Sequence, residues 1–290
     1  MVDALVAPSE TVPPQQVDAG EDAGSPIVIN SSNDDVTGND DVAGAIMQND
    51  ALAVQLLMLS ADDRWSLQLP DTLVCAFVRG FKITMLDLAT LRPGGNMWLT
   101  DAIMNAFGSF VRWRPRSNAD RIYFATSHLI TKQLREAPGS RRSLRWTRKL
   151  DLFDDFDKVM IPIHLAPVHW ILVTICLRDK TIKVFDSLAG VIDCQEHIAA
   201  VQEWLRLNWC FGKNSNTRCT TATPIWGQTS ADCPQQDNSY DCGVFTLMAM
   251  NDLSLGLDLS YSAVDAPAFR RRIYEGIWLN RAPATGASSM

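Results

Sequence analysis

The chain has little of what would build a metal centre: only four histidines in 290 residues, and no CxxC pair among its seven cysteines. Structural zinc draws on such clusters, so no metal and no organic cofactor is expected. The cysteines stand at 75, 176, 194, 210, 219, 233 and 242, an odd number that argues against a closed disulfide framework. No stretch approaches the ~20 continuous apolar residues of a membrane span. A basic patch followed by an apolar run is also missing from the N-terminus, so no signal peptide is read there. These absences point to a reducing nucleus or cytoplasm. Lysine and arginine are absent before Arg64, while residues 1–63 hold twelve acids. Taking those charges from the net −7 leaves +5 for residues 64–290. The basic clusters at 112–116, 141–149 and 270–272 suit an acidic protein partner or nucleic acid, although solvated faces are the plainer account. Nucleic acid and membrane partners are not expected.

What is present reads as a globular body behind an acidic tail. Apolar residues make up 47% of the chain and charged residues 20%. Residues 1–42 are rich in Asp, Ser, Pro, Gly and Asn without sustained period, and too polar to offset the entropy of ordering, so disorder is expected. Within them Ile27, Val28 and Ile29 form a short β-prone island with Asp34 and Asp35 beyond, a weak candidate for adding a strand to a partner sheet. Residues 44–59 read as an apolar helix, and 43–79 as a helical extension before a main domain at 80–285, with 286–290 a flexible end. Helices are expected at 98–111, 193–209 and 243–253, and strands at 159–163, 170–177 and 181–185. The mixture implies an α+β fold, helices packed around a mixed or antiparallel central sheet.

Three places set reactive groups against apolar structure. His169 enters the buried strand at 170–177, and Asp186 ends the next strand on the face of Ile182 and Val184. A carboxylate continuing a buried face is costly unless it accepts hydrogen bonds, which an imidazole would supply. Pairing about Asp179-Lys180 would set Asp186 opposite residue 173, so meeting His169 would need a twist or a bend. The third place is the polar turn QQDNSYDCG at 235–243, which delivers Cys242 to the start of an apolar helix. There the helix dipole and unpaired N–H groups favour a thiolate. Gly243 would let a substrate backbone approach, and the amide of Gln236, or of Gln235 if the turn shifted, would complete an oxyanion hole. The parts make an acyl-transfer enzyme: nucleophile Cys242, base His169, orienting Asp186.

Four blocks then match a family in order. They are ITMLDLATL at 83–91 leading to Trp98-Leu99-Thr100-Asp101, VMIPI at 159–163, HWILVTICLRDKTIKVFDSLAG at 169–190, and QQDNSYDCGVF at 235–245. In these the sequence resembles the ubiquitin-like-protein proteases, also called sentrin-specific or SUMO proteases, which implies the papain-like cysteine protease fold. The resemblance implies Cys242, His169, Asp186 and Gln236 as the catalytic set. It also implies that Trp98 and Trp170 roof a tunnel for the Gly-Gly tail of a ubiquitin-like modifier, SUMO or a relative, in precursors or conjugates. The island at Ile27 is similar to a SUMO-interacting segment. His164 stands where relatives often have Asn, and Cys233 is close enough in sequence to pair with the nucleophile on oxidation. Two rival functions share the pattern: an acetyltransferase-type effector with the same Cys/His chemistry, and a catalytically silent modifier-binding module.

Overall fold

Strands form where β-branched and aromatic residues alternate, and tight turns decide what pairs with what. The computed structural model describes residues 59–68, 70–114, 120–135, 139–165, 169–218 and 222–279. The expected disordered tail 1–42, the island at Ile27, Val28 and Ile29, the helix at 44–59 except its last residue, and the end at 286–290 lie outside these.

Helix α1 (Ala61–Ser66) is capped by Ser60, whose side chain accepts from the Asp63 amide. An antiparallel hairpin follows, β1 (Val74–Val78) with β2 (Phe81–Thr84). Arg79 and Gly80 join them with φ of 49° and 90°, the left-handed turn whose twist suits a two-residue hairpin. This corrects the helical extension expected through residue 79. The run VCAFV is β-branched and aromatic, and a boundary at 80 would cut the hairpin at its turn. Helix α2 (Met85–Ala89) starts on a capping box between Thr84 and Asp87. The other oxygen of Asp87 accepts from Thr100 Oγ1 at 2.6 Å, so the first block of sequence is tied to the Trp98–Asp101 segment. Helix α3 (Asp101–Trp113) begins three residues later than expected, because residues 98–100 run extended into it.

The main sheet has five strands in the order β3 (Ile122–Phe124), β4 (Lys158–Leu165), β5 (His169–Cys176), β6 (Thr181–Phe185) and β7 (Gly227–Ser230). The outer pairs are parallel and the inner pairs antiparallel, so the sheet is mixed. Pro162 is tolerated in β4 because the β3 ladder has ended by Met160, leaving the strand paired on one side only there. Between β3 and β4 lie α4 (His128–Arg135), a 3-10 turn (Arg142–Trp146) and the single turn α5 (Leu152–Asp155). After β6 come α6 (Gln195–Phe211) and the short α7 (Ser215–Arg218), and after β7 come α8 (Cys242–Leu255) and α9 (Ala266–Leu279).

The pleat of β5 sorts two cores. Trp170 and Leu172 join Phe185, α3, α8, α9 and the hairpin on one face. Ile171, Val173 and Ile175 join Ile182, Val184, α4 and α6 on the other. Helix α8 is apolar all round and buried continuously from Cys242 to Met250, whereas α6 is amphipathic and backs onto solvent. Among the described residues no helix is long and apolar enough to cross a membrane.

Candidate active site

His169 is the first residue of β5, and Asp186 follows directly on β6. The ladder pairs Val173 with Val184 and Leu172 with Phe185, which sets Asp186 level with Ile171, not with residue 173 as expected. The difference lies in the turn: the chain reverses over 177–180, with Lys180 left-handed at φ 54°, and the register moves by two residues. Asp186 and His169 therefore share one face as diagonal neighbours, within reach of side chains without any bend. The His169 Nε2 to Asp186 Oδ1 distance is 2.7 Å, with His169 2% exposed and Asp186 8% exposed. Asp186 Oδ1 also accepts from the Leu188 amide at 2.9 Å, which fixes the carboxylate independently of the imidazole.

The thiol arrives from the other core. Asn238 folds the polar turn, its Oδ1 accepting from the amides of Tyr240 and Asp241 at 3.0 and 2.9 Å. The chain then enters α8 with Cys242 as its first residue, fully buried at the positive end of the helix dipole. The side chains of His169 and Cys242 are hydrogen-bonded. Burial lowers the His169 pKa, but the bonds to Asp186 and Cys242 outweigh it and push the imidazole up to about 9. His164 moves the other way, lowered chiefly by burial, and its ring packs 4.6 Å from that of Trp170.

The remaining expected residues are near but not all as imagined. Gln236 is buried, its Oε1 accepting from Ser187 Oγ at 2.7 Å, its Nε2 donating to Asn238 O and its own amide donating to Ser187 O at 2.9 Å. The neighbouring Gln235 is spent otherwise, its Nε2 donating to Asp186 O at 2.9 Å and its Oε1 accepting from the Ala189 amide. Together the two glutamines staple the turn before Cys242 to Asp186 and the segment after it. Trp98 is 47% exposed and donates to Ser239 O at 2.7 Å, whereas Trp170 is 2% exposed and donates to Leu99 O at 3.1 Å. Of the two tryptophans expected to form a roof, only Trp98 offers an exposed indole, and Trp170 is buried. Gly243 faces that packing instead of open space: a Cβ there would lie 3.1 Å from Leu99 Cβ and 3.2 Å from Trp170 Cδ1. Cys233 and Cys242 are both free thiols.

Sequence reasoning missed Arg270, counted above among solvated cations. It is 3% exposed and bonds Asp241 Oδ1 through Nη2 at 2.6 Å and through Nε at 3.1 Å. It also donates to the carbonyls of Thr90, Met97 and Tyr240. One guanidinium thus ties α9, the strand of chain leading to Trp98, and the residue before Cys242. A signal existed: Ala266, Phe269, Arg270, Ile273, Tyr274 and Ile277 form one buried helical stripe with the arginine inside it.

Residues 97–278 match the family described as Ulp1 protease family, C-terminal catalytic domain. The chain is 34% identical over 208 residues to Sentrin-specific protease 3 of Mus musculus, covering 69% of this chain and 34% of that protein. It is 33% identical over 204 residues to Sentrin-specific protease 5 of Homo sapiens, covering 69% of this chain and 24% of that one. It therefore spans a quarter to a third of the length of these curated relatives. Among solved structures, the C-terminal Ulp1 protease domain in complex with Smt3, the yeast ortholog of SUMO, aligns with TM-score 0.57 at 23% identity, over 80% of this chain and 95% of that one. At that identity the likeness establishes the fold.

Proposed function

Because the chain belongs to the Ulp1 protease family, we propose that it is a thiol protease and isopeptidase cutting after the C-terminal Gly-Gly of a ubiquitin-like modifier, SUMO above others. The observation that carries the reading is the convergence of Cys242, His169 and Asp186 from two separate cores onto one end of the sheet. The names and partner of the relatives, sentrin-specific proteases and a protease domain held with a SUMO ortholog, support the choice of modifier.

In this mechanism the Cys242 sulfur attacks the glycine carbonyl carbon, and its proton resides on His169. The S–C bond forms as the carbonyl pair moves onto oxygen. Gln236 Nε2 carries two hydrogens, one of which is on Asn238 O, and the other serves the oxyanion. On collapse the C–N bond breaks, and the His169 proton passes to the leaving amine. With its pKa at about 9 the imidazole carries that proton at neutral pH. Asp186 holds the ring in place and balances its charge. Water then hydrolyses the thioester with His169 as base, and the thiol is restored. The exposed indole of Trp98 covers the modifier's tail, whose glycines carry no side chains to obstruct a close approach.

The test is labelling by SUMO, NEDD and ubiquitin derivatives that carry a C-terminal electrophile. SUMO is expected to label the protein fastest, Cys242→Ala to abolish labelling, and His169→Ala to reduce it by at least about a thousandfold. Labelling that persists in Cys242→Ala would move the nucleophile to Cys233 and overturn the site.

A further inference from the structure

We infer that the depression on the 3-10 turn (Arg142–Trp146) is a docking site for a phosphorylated, acidic segment of a partner protein. Residues 139–149, GSRRSLRWTRK, contain five cations and no acid. The turn is anchored from below. Ser143 and Leu144 are buried, and Thr147 donates to Asn208 Oδ1 of α6 at 2.6 Å. With the backbone fixed, Arg141, Arg142, Arg145 and Arg148 project outward and, with Leu144 as floor, line an open depression of about 450 Å³.

Two guanidiniums are held in place by aromatic rings. Arg141 lies 3.5 Å over Phe211, and Arg145 lies 4.5 Å over Trp146. Among the described residues Arg141, Arg145 and Arg148 have no carboxylate partner. The nearby Glu203 is already committed, accepting from Arg206 at 2.7 and 2.8 Å and from the Gly139 amide. Among the described residues their mutual repulsion is therefore uncompensated, and an anion would relieve it. Preorganised forks reduce the entropy lost on binding.

The geometry favours phosphate over other anions. A carboxylate fills one guanidinium fork, whereas a phosphate dianion presents three oxygens and can accept from several at once. Nucleic acid is less well served. Binding of single strands without sequence preference uses open aromatic faces for bases, and here the chain's own Arg141 lies over the partly exposed ring of Phe211 while Arg145 and Lys132 lie over that of Trp146. The depression belongs to the face that packs α4 and α6, not to the core containing Cys242, so its occupant need not displace substrate. The site is independent of the catalytic reading.

Fluorescence anisotropy on the full chain tests it with three labelled probes. These are a peptide with two phosphoserines among aspartates, the same peptide unphosphorylated, and a single-stranded RNA of equal charge. The phosphopeptide is expected to bind at least about tenfold tighter than either of the others. Arg145→Glu with Arg148→Glu should weaken it about a hundredfold, and the neutral Arg145→Gln with Arg148→Gln about tenfold, with the melting temperature unchanged. RNA binding as tight as the phosphopeptide, indifference to phosphorylation, or full binding by both double variants would each overturn the assignment.

Discussion

The two faces of the sheet are both well packed, yet they solve different problems. On the α6 face the filling is Ile171, Val173, Ile175, Ile182, Val184, Trp204 and Leu205, with polar contacts such as Thr147–Asn208 kept to the ends of the elements. On the α8 face buried polar groups sit among the apolar ones, Arg270 with Asp241 and Gln236 with Ser187, and at the sheet's end His169 and Asp186, which continue the pleat of Ile171 and Ile182, meet Cys242 from the α8 side. Buried ion pairs contribute little net stability, because desolvation offsets attraction. Their gathering around Cys242 marks where position, and not mere cohesion, is required.

Substitutions that separate cohesion from position would break or sharpen this contrast. Removing half of a buried pair strands the other charge, so Arg270→Ala should cost about 3–5 kcal/mol of stability. At temperatures where the variant remains folded, kcat should fall as well. Leu205→Ala on the opposite face should cost a similar ~2–5 kcal/mol by opening a cavity, with kcat of the folded protein unchanged. Denaturant melts and steady-state kinetics on both variants distinguish the two, and equal kcat for both would erase the distinction. Gln236→Ala, removing the proposed oxyanion donor, is expected to raise the barrier by ~2.7–4 kcal/mol, read as a fall in kcat with KM little altered.

Gly243→Ala should cost ~1–3 kcal/mol, since the new methyl presses on Leu99 and Trp170. Its kcat/KM should fall because Leu99 adjoins Trp98; a neutral result would show that Leu99 yields freely. The smallest effect expected is on pH dependence. His169 has a folded pKa raised from 6.5 to about 9. Its stabilisation is thus complete below pH 6.5 and is lost as pH rises through about 9. The melting temperature should drop by a few degrees over that window, and Asp186→Asn should flatten the drop. Activity should show an alkaline limb near pH 9 that moves lower in Asp186→Asn.

Much of this arrangement is legible in the sequence where chemistry and periodicity coincide. Strands β5 and β6 and helix α8 announce themselves by apolar runs bounded by polar turns, and their ends carry His169, Asp186 and Cys242. Register is harder to read, because moving the centre of the 177–180 reversal by one residue shifts pairing by two. A left-handed Lys180 leaves no compositional mark. The β1–β2 hairpin escapes notice for the same reason, with a non-glycine residue, Arg79, at positive φ. Trp170 looks like a partner of Trp98, but burial depends on the register of α8 against β5, which only packing sets. Arg270 is followed by two further arginines, and only its place in the stripe of α9 separates it from them.

Helix α8 is enclosed on every side from its first residue to Met250. Such a segment cannot fray or tilt without dismantling the protein around it. Its backbone amides should therefore exchange with deuterated solvent only through global unfolding. The sulfur proposed to react is thereby held on a helix expected to open last, so the adjustment that a bound substrate requires is expected on the exposed indole side and in the substrate itself.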